Sequence, residues 1–99
     1  MVEHIVLIKF SNETTKQQKD ELIRRTLALK GAIPGIVDIQ QGHNFSERSK
    51  GYEVGLTVRL TDREALADYG PHPEHQKIVF YLHEIGVEDS IIVDFDIAD

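Results

Sequence analysis

The chain has 99 residues, a formal net charge of -6 and no cysteine. That length suits one domain, residues 1–99, with a core modest enough that self-association would help it. The missing cysteine excludes disulfides, thiolate nucleophiles and cysteine metal sites, and the acidic balance argues against generic nucleic-acid binding. No apolar run approaches the roughly 20 residues a membrane helix needs. Met1-Val2-Glu3-His4 lacks the basic start of a signal peptide, and a cytoplasmic setting is the expectation.

In chain order, Val2 to Phe10 is β-branched and nearly continuously apolar, which predicts a strand covered on both faces. Thr14 and Gln17 have capping-box spacing and open a predicted helix over residues 16–30. Its largely apolar face is Leu22, Ile23, Thr26, Leu27 and Lys30, its wet side carries Asp20/Arg24 and Glu21/Arg25, and Gly31 stops it. A turn at Ile33-Pro34-Gly35 leads into a second strand over residues 36–45. Its middle is unusually polar, and Gly42 suggests a bulge or a close backbone approach. After a charged hairpin loop at 46–51, Tyr52, Val54, Leu56, Val58 and Leu60 alternate with polar or small residues, the mark of a half-buried antiparallel strand. Thr61 to Glu64 has capping-box spacing before a short helix ending near Tyr69. Pro73 suits the first turn of another helix, over residues 73–84, which Gly86 ends. The last strand is expected over residues 91–97, with Asp94 and Asp96 on its second face.

The order is β-α-β-β-α-β, the split βαβ pattern of ferredoxin-like α+β folds, with a four-stranded antiparallel sheet. Both helices then cover one sheet face and leave the other bare. Ile5 and Leu7 lie on the face opposite His4, Val6 and Ile8, so the bare face is also apolar. A bare apolar face needs a partner, and a homodimer is the expected assembly.

The groups able to do chemistry gather in Tyr69-Gly70-Pro71-His72-Pro73-Glu74-His75. His75 precedes Ile78 and Val79 by three and four positions, so it falls on the buried stripe of its helix. A histidine there has a pKa suited to moving protons near neutrality. Tyr69 follows Leu66 by three and would bring a hydroxyl to the same interior. His4 shares the face of Val6 and Ile8 and could meet either group, and Asp94 is the acid able to orient a histidine. From the residues alone, two readings stand: proton transfer, or structural hydrogen bonds with His72 as a helix cap. No dedicated metal site is expected, because the histidine spacing matches no metal motif, and no phosphate loop is present.

Several segments resemble the stress-responsive A/B barrel (Dabb) domain family. They are His4 to Phe10, Ile33 to Ile36, Gly42 to Ser46, Gly51-Tyr52, Val93 to Phe95, and above all Tyr69-x-x-His72-Pro73-x-His75. The resemblance covers residues 2 to 97 and implies a dimeric α+β barrel with a stress-related role. One branch of the family is a plant polyketide cyclase that closes its substrate by aldol condensation without a cofactor. By that likeness His75 would be the general base and Tyr69 the oxyanion donor, with His4 and Asp94 as polar pocket positions. The implied pocket is lined by His4, Val6, Ile8, Leu22, Ile23, Thr26, His72, Val79 and Asp94. Leu22, Ile23 and Thr26 stand where that branch has aromatics, and Val54 where it has a histidine, so a different small molecule is implied. The expectation is a dimer binding a small apolar or carbonyl-containing molecule between sheet and helices. The alternative is a cofactor-free cyclase or isomerase.

Overall fold

The computed structural model describes residues 1–98. Strands β1 (Val2–Phe10), β2 (Ile36–His43), β3 (Tyr52–Leu60) and β4 (Val87–Asp96) form one antiparallel sheet in the order β2-β3-β1-β4. Helices α1 (Lys16–Leu27), α2 (Arg63–Tyr69) and α3 (Pro73–Ile85) complete the ferredoxin-like α+β fold. β1 lies inside the sheet, between β3 and β4, which accounts for its continuous apolar run.

The caps fall close to their expected places and differ in informative ways. The box that opens α1 is Thr15 with Gln18, one residue later than expected: Gln18 N–H donates to the Thr15 hydroxyl at 3.1 Å and the Gln18 side chain accepts from Thr15 N–H at 2.9 Å. Thr14 is buried and donates instead to the Ile85 carbonyl at 2.5 Å, pinning the start of α1 to the end of α3. α1 stops at Leu27 rather than residue 30, and a 3₁₀ turn over Ala28–Gly31 swings Leu29 into the core while Leu27 stays exposed. Its wet side pairs Glu21 with both Arg24 and Arg25, and Asp20 goes to Lys16 and His43 instead of Arg24. α2 is capped by Asp62, which accepts from Ala65 N–H at 2.8 Å, in place of the expected Thr61 box.

Gly86 ends α3 with a left-handed φ of 105°. A side chain there would also meet Thr14 Oγ1 at 3.0 Å, so glycine is needed twice over. β4 begins at the next residue, four earlier than expected, because pairing with β1 continues to Val87 opposite Phe10. The bulge in β2 falls between Ile36 and Asp38, not at Gly42, which pairs in register with Gly55.

Register decides which side chains share the helix-covered face. His4 faces Val58 and Asp94, with Ile39 beyond Val58; Val6 faces Leu56 and Ile92, with Gln41 beyond Leu56. Two apolar clusters fill the space under the helices, one around Val58, Leu60 and Tyr69 and one around Phe10, Leu22 and Val54. Val6 and Ile78 pack against both. On the opposite face Ile5 and Leu7 are half-buried, and Ile91, Val93 and Phe95 are each more than 40% exposed.

Candidate functional site

A cavity of about 630 Å³ lies between the sheet and the helices and is lined by members of both clusters. That volume suits a small organic ligand. β1 supplies His4, Val6 and Ile8, α1 supplies Leu22 and Thr26, and the α2–α3 corner supplies Tyr69, Gly70 and His75, with Val79 further along α3. Of the positions expected to line it, Ile23, His72 and Asp94 do not. Ile23 packs at the side of the Leu22 cluster, because α1 turns Leu22 and Thr26 rather than Ile23 to the cavity. His72 caps α3, its Nδ1 accepting from Glu74 N–H at 3.1 Å. Asp94 stands behind His4 and accepts from its Nδ1–H.

The corner is held by local chemistry. Pro73 occupies the first turn of α3, where no backbone donor is needed, and His72 N–H bonds the Tyr69 carbonyl at 3.2 Å. The Gly70 carbonyl receives Nδ1–H of His75 at 2.8 Å and the Gln76 amide at 2.7 Å. A carbonyl can only accept, so the neutral His75 ring keeps its proton on Nδ1 and its lone pair on Nε2. Burial holds the His75 pKa below the usual 6.5, aided by His4 and His72 nearby and opposed by the Gly70 bond. His75 is therefore a neutral proton acceptor at neutral pH.

Tyr69 is 2% exposed, and its ring lies 4.4 Å from that of His75 and 5.7 Å, edge on, from that of His4. Desolvation pushes its hydroxyl up to about 12, so it stays a donor. Among the described residues that hydroxyl has no hydrogen-bond partner. A base and a donor with open valences thus stand side by side in an apolar cavity. Such a pair can remove a proton next to a carbonyl and steady the oxygen that gains charge. Among the described residues no three His, Cys, Asp or Glu side chains cluster to hold a metal.

The lining also includes Gln41, Leu56, Ile78, Leu82, His83 and Ile92, which were not among the positions expected to line it. Gln41 left one trace, the polar middle of its strand, and only its register opposite Leu56 places it on the cavity side. No helix of the described residues is long and apolar enough to cross a membrane.

Fold and site together define a ferredoxin-like domain with a ligand-sized cavity between sheet and helices. The chain belongs to the stress responsive A/B barrel domain family, whose model matches residues 2–97. It is 32% identical to olivetolic acid cyclase of Cannabis sativa over 76 residues, which is 75% of each chain. A dimeric ferredoxin-like protein of unknown function from Jannaschia sp. CCS1 has 26% identity, a TM-score of 0.81 and coverage of 97% of this chain and 98% of that one. An Arabidopsis thaliana protein has the same fold with a TM-score of 0.88 at 21% identity, over 100% of this chain and 97% of its own.

Proposed function

We propose that this protein is a homodimer that binds a small carbonyl-containing molecule in the cavity and removes a proton from the carbon beside the carbonyl. His75 is the base and Tyr69 the hydrogen-bond donor to the developing oxyanion. The observation that carries this reading is the tautomer of His75: its Nδ1–H is committed to Gly70, which leaves the Nε2 lone pair free beside an unpartnered Tyr69 hydroxyl. A histidine kept only for structure would have no need of an open valence next to a second one. The relative named as a cyclase supports an enzymatic reading of the site.

His4 supports the pair from β1. Its Nδ1–H is held by Asp94, which fixes the ring edge against Tyr69. The dimer reading rests on the uncovered face, where Ile91, Val93 and Phe95 form an exposed apolar row beside Ile5 and Leu7, and on the dimeric relative. Phe45, 98% exposed at the end of β2, adds to the surface a second copy would cover.

The test is hydrogen–deuterium exchange at the methylene of a linear β-diketone, followed by NMR. The protein should speed exchange above the uncatalysed rate, and His75→Asn should lower that gain by about a hundredfold or more. Asparagine can keep a donor near the Nδ1 position, and Gln76 still satisfies Gly70, so the unfolding temperature should hold. Unchanged exchange in a folded His75→Asn protein would remove the base from the reading.

A further inference from the structure

Gln41 stands on the cavity side of β2 and takes no part in the proton transfer proposed above. Both its amide atoms, Oε1 and Nε2, are cut off from solvent and have no hydrogen-bond partner among the described residues. Other buried polar groups are satisfied: Thr26 donates to the Leu22 carbonyl at 2.8 Å and Thr14 to the Ile85 carbonyl at 2.5 Å. An unpaired buried amide weakens a fold, and native proteins mostly avoid it. Nothing local asks for it here. Across the sheet its row continues through Leu56, Val6 and Ile92, all apolar, so an apolar side chain would suit the strand as well. Gln41 borders the cavity, and a turn of its side chain that brings the buried amide to the wall presents a donor and an acceptor together, matching a ligand group that offers one of each.

Charge narrows the class of ligand. Histidine aside, no cationic side chain lines the cavity, while Glu88 and Asp89 line it from the start of β4. The chain as a whole carries a formal charge of -6. An ionised carboxylate or phosphate would enter against these charges and meet a neutral amide instead of a cation. Geometry sets the position of the recognised group. Gln41 and His4 stand on strands separated by β3, two spacings or roughly 10 Å apart. The amide therefore reads a part of the ligand away from His4.

We propose that Gln41 is the specificity-determining residue of the cavity, and that the ligand is an uncharged carbonyl compound with an apolar body. One end carries a neutral group that both donates and accepts a hydrogen bond, a primary amide being the simplest. This rests on the carbonyl reading of the site and adds the identity of a second polar group on the ligand.

The probes are linear β-diketones of matched chain length ending in a methyl group, a primary amide or a carboxylate, titrated calorimetrically. The intact protein should bind the amide at least tenfold more tightly than either of the others. Gln41→Met should erase that preference, and its unfolding temperature without ligand should equal or exceed that of the parent. Equal binding of all three probes, a preference for the carboxylate or methyl end, or an unchanged preference in Gln41→Met overturns the assignment of Gln41. Any of these leaves the carbonyl reading standing if His75-dependent exchange persists. A Gln41→Met protein that fails to fold shows the amide to be structural and also overturns it. Failure of all three probes to bind, with no His75-dependent exchange, overturns both.

Discussion

The two faces of the sheet invert the usual division between inside and outside. Under the helices, where apolar packing is the rule, the sheet and the α2–α3 corner present His4, Gln41, Tyr69 and His75 around an open volume. On the uncovered face, where polar side chains would be at no cost, Ile91, Val93 and Phe95 stand exposed beside Ile5 and Leu7. Each departure weakens the isolated chain. A buried polar group without a partner loses its hydrogen bonds to water, and an exposed apolar row leaves its transfer free energy ungained. On the function proposed above, the two departures answer to two different things outside the chain: a ligand for the covered face and a second copy for the open one.

The largest effect is expected on the open face. Light scattering should give the parent about twice its chain mass of 11.3 kDa, and Val93→Asp should reduce it to the single-chain mass by putting an unpaired charge into the apolar face that a second copy would cover. A monomeric parent would sink the dimer and leave the apolar row unexplained. Next comes the covered face. Tyr69→Phe keeps the ring that packs against His75 and removes only the hydroxyl, so β-diketone exchange should drop by about tenfold to a hundredfold while the unfolding temperature stays close to the parent's. A large fall in stability with no loss of exchange would turn Tyr69 into a purely structural residue.

The smallest effect is on pH dependence. Folding lowers the His75 pKa from 6.5, so below that pH the unfolded chain takes up a proton that the folded chain still declines. The corresponding stability is present above 6.5 and is lost as the pH falls through the lower folded value. Calorimetry from about pH 7 down to about pH 5 should show a steeper fall in unfolding temperature for the parent than for His75→Asn. Equal slopes would mean that His75 titrates alike in both states. Exchange activity should keep its acid limb below the ordinary histidine range for the same reason.

Much of the fold was legible because its signals are local. The alternation of Tyr52 to Leu60, the turn around Gly35 and the glycine stop at residue 86 all act within a few residues of themselves. Helix ends were harder to read: Thr14 and Thr15 are equally good caps by composition, and the choice fell to Thr15 because Thr14 finds the Ile85 carbonyl 71 positions away. The early start of β4 was hidden for the same reason, since Val87 to Ser90 is strand only through its pairing with β1.

The site divides along the same line. The helical stripe that turns His75 inward, and its closeness to Tyr69 across a short corner, follow from spacing within seven residues and were determined by the sequence itself. Two sheet faces, both apolar on the first strand, were determined there too, and with them the need for a partner. Only the tertiary structure decided that His4 meets Asp94, 90 positions away, and that Gln41 rather than Gln40 faces the cavity. It also decided that the Gly70 carbonyl takes the His75 proton that frees Nε2. Strand register sets the first two and the packing of the α2–α3 corner the third. Register and packing minimise the free energy of the whole sheet and its helices, which no short window of sequence contains.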